Sequence, residues 1–129
     1  MSEWIEKIKR NNLFHFAQPA DICKIKDAEN LLCVKFADDY TKFLQNIGAC
    51  ICFGHEINGL TEKSNLNIIK STEEQRKLNL SVPSTWYAIE DTHIDGIIIW
   101  QDQSGSIYQI SPGNLPIKIA TGIVQYLNL

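Results

Sequence analysis

Apolar positions recur at helical spacing through the first third of the chain and at strand spacing through most of the remainder. In SEWIEKIKRN, Trp4, Ile5 and Ile8 share one side of a helix that follows Ser2, a residue type suited to the N-cap, and stops near Asn11 or Asn12. AQPADICKIKDAENLLCVKF predicts a second helix, with Pro19 in its first turn and Asp21 favoured by the positive helix end. Ile22, Ile25, Ala28, Glu29 and Leu32 lie mostly on one face of it. ADDYTKFLQNIG predicts a third, capped by Asp38, with Tyr40, Phe43, Leu44 and Ile47 as an apolar stripe and Gly48 ending it.

The period then changes. ACICF alternates like a strand, Gly54 and His55 read as a turn, and EINGL follows, so a hairpin or a bent strand is expected. TEKSNLN is a polar loop. STEEQRKLNL opens with a capping-box pattern, Ser71 to Glu74, and predicts a short helix. TWYAIED, GIIIWQD and SIYQI are three β segments separated by turn signals, Asp95-Gly96 and Gln103-Ser104-Gly105, and predict an antiparallel meander. PGNLP is a loop. IKIATGIVQYLNL is read as a closing helix with Ile119, Ile123, Tyr126 and Leu127 on one face. Helices followed by strands describe an α+β fold, an antiparallel sheet with helices packed against it. The 129 residues carry no linker or repeat and suit one domain, residues 1–129.

Composition narrows the class of protein. Hydrophobic residues make up 44% and charged residues 21%, so one core suffices without disulfides or metals. The N-terminus has no uninterrupted apolar core, and no apolar run, GIIIW among them, approaches the roughly 20 residues of a membrane span. A cytoplasmic protein with no membrane partner is expected. In that compartment Cys23, Cys33, Cys50 and Cys52 read as free, buried thiols. Cys23 and Cys33 are too far apart along one helix to be bonded.

Net charge is −3, and its placement matters more than its size. Residues 1 to 77 balance; residues 78 to 117 hold Glu90, Asp91, Asp95 and Asp102 and no Lys or Arg. That sign opposes direct nucleic-acid binding. It suits a basic protein partner, and it equally suits a solvated face.

Reactive-looking residues cluster in GACICFGHEINGL, where Cys50, Cys52, His55 and Glu56 fall close together. In a strand both cysteines point the same way, with Ile51 and Phe53 opposite. A structural zinc site wants four tetrahedral ligands, and no second cysteine knuckle exists at usable spacing, so a core strand is the better reading. Asp91, His93 and Asp95 form a D-x-H-x-D cluster in a hairpin, where polar turn residues are expected anyway. No phosphate-binding, dinucleotide-binding, zinc-protease or nucleophile-elbow motif is present. The expectation is a protein without catalytic residues, cofactor or metal.

The order of segments supplies a further clue. PADICKIKDAENLLCVKFADDYTKFLQNIGACICFGHEINGL resembles the core signature of the SUKH superfamily, the yeast cell-wall regulator homology domain. The residues that carry the resemblance are Phe36, Asp39, Tyr40, Phe43, Leu44, Gly48, Phe53, Glu56, Ile57, Gly59 and Leu60. Thr72 and Arg76 match a downstream T-x-x-x-R helix, and DGIIIWQDQSGSIYQI matches a strand pair around an acidic-glycine turn. Ala37 stands where many relatives have proline, and only Gly48 precedes the first strand, which bears on subgroup rather than fold. The resemblance implies a SUKH-like fold and a binding role. Bacterial single-domain members are mostly immunity proteins that neutralise polymorphic toxins, often nucleases, by direct contact; eukaryotic relatives suggest a scaffold or regulatory adaptor as the alternative. It also implies fold roles for the matched residues: Asp39 as a helix cap or anchor, Gly48 and Gly59 at turns, Tyr40, Phe43 and Leu60 in the core. The expected partner is a basic toxin, met by Trp86, Tyr87, Glu90, Asp91, Asp95, Trp100 and Asp102, with the protein a monomer or weak homodimer.

Overall fold

A computed structural model describes residues 2–15, 17–62 and 65–129. Among them the elements run α1 (Glu3–Asn11), α2 (Ile22–Leu32), α3 (Asp38–Asn46), β1 (Cys50–Cys52), β2 (His55–Ile57), α4 (Ile68–Leu78), β3 (Tyr87–Asp91), β4 (Ile98–Gln101), β5 (Ile107–Ile110), β6 (Ile117–Ala120) and α5 (Ile123–Tyr126). Strands β3 to β6 form a four-stranded antiparallel meander, and β1 and β2 form a separate hairpin. This is an α+β architecture. Asn58 joins the hairpin to the meander: its N–H donates to the Ile89 carbonyl (2.8 Å) and its side-chain amide to the Ala88 carbonyl (3.0 Å).

One face of the meander packs under the helices. Tyr87, Ile89, Ile99 and Ile107 meet Ile5 and Ile8 of α1, Ile25, Ala28 and Leu32 of α2, and Tyr40, Phe43 and Leu44 of α3 in one buried cluster. The opposite face carries Ala88, Ile98, Trp100 and Ile110, covered by Val82 and Trp86. Trp86 stacks on Tyr108 with ring centres 4.0 Å apart. The sheet is therefore apolar on both faces of β3 and β4, which accounts for the unbroken run Ile97–Trp100.

Side chains tie the helices to the sheet. The Ala88 N–H donates to Thr72 Oγ1 (3.0 Å), and the Arg76 guanidinium donates to the carbonyls of Leu32 (3.0 Å) and Ser84 (2.8 Å). The two side chains of the T-x-x-x-R pattern thus clamp α4 to β3, α2 and the segment before β3. Asp39 serves a neighbouring element rather than its own helix. Its carboxylate accepts from the Ile123 N–H at the start of α5 (2.8 Å) and from the Gln101 amide (3.0 Å). Gly48 has φ +95°, and a β-carbon there would lie 2.4 Å from the Gln18 carbonyl oxygen. A β-carbon on Gly59 would fall 1.8 Å from the Gly48 carbonyl oxygen, so the two glycines let two chain segments touch.

Several local expectations are corrected. Pro19 precedes α2, and Asp21 is its N-cap, accepting from the Lys24 N–H (2.9 Å). Ala37, not Asp38, occupies the N-cap of α3. Helix α4 starts at Ile68, capped by Asn67, because Ile68 and Thr72 bury one face; Ser71 lies inside it. The hairpin turn is Phe53-Gly54, both with positive φ, and His55 is a strand residue opposite Cys52. Residues 63 and 64 of the expected polar loop lie outside the described residues. The largest difference is at the C-terminus, where residues 117 to 120 form an edge strand and only Ile123–Tyr126 is helical. Isoleucine either side of Lys118 is a strand pattern, and pairing with β5 prevails over the helical reading. Cys23 and Cys33 are exposed, whereas Cys50 and Cys52 are buried; all four are free.

Candidate functional site

The hairpin brings together residues that are distant in sequence. Cys52 and His55 are opposite one another in the β1–β2 register. Glu90 comes from β3, where a bulge between Ala88 and Glu90 shifts the register and pairs Glu90 with Ile99. That shift separates Glu90 from Trp86, although simple alternation puts both on one face. Glu90 is 3% exposed, and its carboxylate accepts from Nδ1–H of His55 (3.0 Å), the Glu56 N–H (2.7 Å) and the Tyr126 hydroxyl. The carboxylate is a junction between β2, β3 and α5.

This environment retunes its neighbours. The hydrogen bond to Glu90 raises the His55 pKa, against the opposing effect of partial burial. Burial, then the Glu90 charge, raises the Tyr126 hydroxyl. The Cys50 and Cys52 sulfurs lie 3.5 Å apart. Their hydrogen bond lowers the Cys52 pKa, with His55 adding to the effect against burial; the same bond and burial raise Cys50. Among the described residues no group of three or more His, Cys, Asp or Glu is placed to hold a metal ion.

A second polar region surrounds the exposed end of β3. A groove of about 290 Å³ is lined by Glu56, Glu74, Asp91 and His93, with Asn58, Ser71 and Gln75 between them and Lys70 at its side. The His93 ring lies 3.6 Å from the Glu56 carboxylate and 3.8 Å from that of Asp91. Asp91 also accepts from the His93 N–H (2.8 Å), which holds His93 in a left-handed backbone conformation at φ +58°. Asp95 is exposed in the adjoining turn. A larger groove of about 640 Å³ runs between α2, the start of α3 and the β4–β5 turn, where Lys26 and Lys35 offset Glu29, Asp38 and Asp39. Neither groove is lined by Cys50, Cys52, His55 or Glu90.

The residues expected to meet a partner therefore divide. Asp91 lines the acidic groove, and Asp95 is exposed in the turn that follows β3. Tyr87 is fully buried; its hydroxyl accepts from the Ala37 N–H (2.8 Å) and donates to Gln101 Oε1 (2.8 Å). Trp100 is fully buried in the second cluster, and Glu90 is the internal junction just described. Asp102 is partly exposed but committed to its own turn, accepting from Ser104, Ser106 and Tyr108. Burial works against its ionisation, and these hydrogen bonds outweigh it and hold its pKa below the usual value. Trp86 is half-buried against Tyr108. Because Asp91 pairs with Ile98 and Tyr87 with Gln101, the Asp91 end and the Trp86–Asp102 end are opposite ends of one strand pair. About four residues separate them, on the order of 13 Å. Glu56 and Glu74 were not legible as neighbours of Asp91; His93 was, in the D-x-H-x-D run. The signal for Glu56 was the Glu-Ile-x-Gly-Leu pattern, which places it on β2 beside β3.

The SUKH_5 family, described as SMI1-KNR4 cell-wall, matches residues 1–115. The chain belongs to this family. Its fold is shared by a solved structure described as a protein from Pseudomonas syringae pv. tomato, with a TM-score of 0.72 at 15% identity, covering 91% of this chain and 89% of that one. Comparison with curated proteins finds no match. Phe36, Tyr40, Phe43, Leu44, Ile57 and Leu60, which carried the resemblance in the sequence, are all buried in this structure. Among the described residues no helix is long and apolar enough to cross a membrane.

Proposed function

We propose that this protein is a non-catalytic immunity protein, one domain that binds a toxin of the producing cell and blocks it by direct contact. Membership of the SUKH family supports a binding role. The observation that carries the reading is the acidic groove, where Glu56, Glu74 and Asp91 come together, with Asp95 exposed in the turn that follows β3. A nuclease toxin has the chemistry such a groove fits, since its active site must be basic to hold phosphates. Carboxylates presented to that site speed encounter and fix orientation. Asp91 and Asp95 are the central contacts in this reading, with Glu56 and Glu74 added. Trp86 and Asp102, at the other end of the strand pair, meet only a partner that spans it. Tyr87, Glu90 and Trp100 support the surface from within.

The test is co-expression with the product of the adjacent gene in the source genome. An immunity protein restores growth to cells making that product, and the Asp91→Lys/Asp95→Lys variant restores less. Unchanged toxicity in the presence of folded wild-type protein rejects the reading and favours an adaptor role.

A further inference from the structure

The cysteines of β1 carry chemistry that a packing role does not require. Cys50 and Cys52 are both buried, point to one face of the strand and hold their sulfurs 3.5 Å apart. Cys23 and Cys33 are exposed and lie on α2 and at its end, so they belong to a different part of the surface. We propose that Cys50 and Cys52 form a reversible redox pair, in which Cys52 reacts with a peroxide and Cys50 then closes a disulfide within strand β1.

Geometry assigns the two roles. Cys52 is next to the exposed Phe53-Gly54 turn and opposite His55, whose side chain is 27% exposed, so the path from solvent leads to Cys52 first. Cys50 lies two residues deeper, opposite the buried Ile57. The lowered pKa of Cys52 and the raised pKa of Cys50 agree with that order. In the first step the Cys52 thiolate attacks one peroxide oxygen and the O–O bond breaks. The sulfur becomes a sulfenic acid and the leaving hydroxide takes up the thiol proton as water. In the second step the Cys50 sulfur attacks the Cys52 sulfur, the S–O bond breaks, and a second water leaves with the Cys50 proton. Two thiols lose two electrons and one hydrogen peroxide gains them.

The backbone makes the bond reversible. Residues two apart on an extended strand have α-carbons roughly 6.6–6.8 Å apart. That is the upper edge of the range that disulfides span, about 4.4–6.8 Å. Closing the bond must shorten β1, and a strained disulfide is readily reduced by thiols. The shortening acts on Ile51, whose N–H donates to the Asn12 side chain (3.0 Å) and whose carbonyl accepts from the Leu13 N–H (2.8 Å). Oxidation therefore pulls on the connection between α1 and the hairpin.

The experiment uses the full chain with Cys23→Ser and Cys33→Ser, leaving two thiols. The folded protein is treated with hydrogen peroxide, denatured, alkylated, digested after lysine and arginine, and weighed. Both cysteines fall on the same peptide, between Lys42 and Lys63. The expected product is that peptide short of two hydrogens, unalkylated, from monomeric protein, with both thiols recovered after dithiothreitol. In Cys50→Ser, dimedone traps a sulfenic acid on Cys52; in Cys52→Ser, residue Cys50 stays unmodified. Two alkylated cysteines after peroxide treatment, or linkage only between molecules, overturns the proposal. Dimedone on Cys50 overturns the assignment of roles. If a serine variant does not fold, the peptide map of the two-thiol protein decides alone.

Discussion

His55 and Glu90 stand 35 positions apart in the chain and meet at 3.0 Å, Nδ1 to Oε1, where the hairpin abuts the meander. The hydrogen bond favours the charged imidazole, so the folded-state pKa lies above the ordinary value of about 6.5. A raised pKa contributes stability that is fully present below the unfolded value and is lost as pH rises through the folded one. The stability difference between wild type and His55→Gln is therefore largest below about pH 6 and shrinks as pH rises through the folded-state pKa. Proton NMR of the His55 ring checks it directly: the midpoint lies above 6.5 in wild type and falls in Glu90→Gln.

Glu90 itself is a folding residue in this structure. Replacing it with alanine leaves the Glu56 N–H, the Tyr126 hydroxyl and the His55 ring without their acceptor. The expected cost is about 2–4 kcal/mol. Asp95→Ala, at an exposed turn where φ is +53°, should cost no more than about 1 kcal/mol. Urea unfolding of the two variants compares an internal carboxylate with a surface one.

Gly59 is set by its contact with Gly48. A methyl group at 59 would lie 1.8 Å from the Gly48 carbonyl oxygen and 2.5 Å from its carbon, both backbone atoms. Gly59→Ala should cost about 3 kcal/mol or more, whereas Gly54→Ala, in open space at φ +78°, should cost about 1 kcal/mol. Thermal melting of both variants measures the contrast.

Tyr87 holds α3 to the sheet through its hydroxyl. Tyr87→Phe keeps the ring contacts with Phe36 and Tyr40 and leaves the Ala37 N–H and the Gln101 side chain short of a partner. The expected loss is about 1–3 kcal/mol. Amide exchange at Ala37 should accelerate in this variant.

Much of this architecture is legible from periodicity. The α1 and α3 stripes end up buried, and the three β segments form the meander in order. Three features escaped for physical reasons. Strand β6 is an edge strand with only Ala120 buried, so burial gave no contrast to separate strand from helix. The start of α4 is fixed by Ile68 entering the core, a tertiary contact that outranks the Ser71 pattern. Glu90 reads as part of an acidic surface because it falls in the stretch 78 to 117 that holds acidic residues and no Lys or Arg; the bulge in β3 pairs it with Ile99 and turns it inward. Of the surface site, Asp91 and Asp95 were visible in the charge run and His93 in the D-x-H-x-D run between them, while Glu56 and Glu74 join them only through the packing of β2 and α4 on β3.

The measurement that tests the central claim is a binding titration of purified protein against the purified product of the adjacent gene, repeated across salt concentration. The account predicts a one-to-one complex that weakens steadily with salt. Asp91→Lys/Asp95→Lys should weaken it about tenfold or more at low salt, with most of that difference disappearing at high salt. Absence of a complex with folded protein contradicts the binding role assigned here, and a complex indifferent to both salt and the two substitutions contradicts the acidic groove as its contact surface.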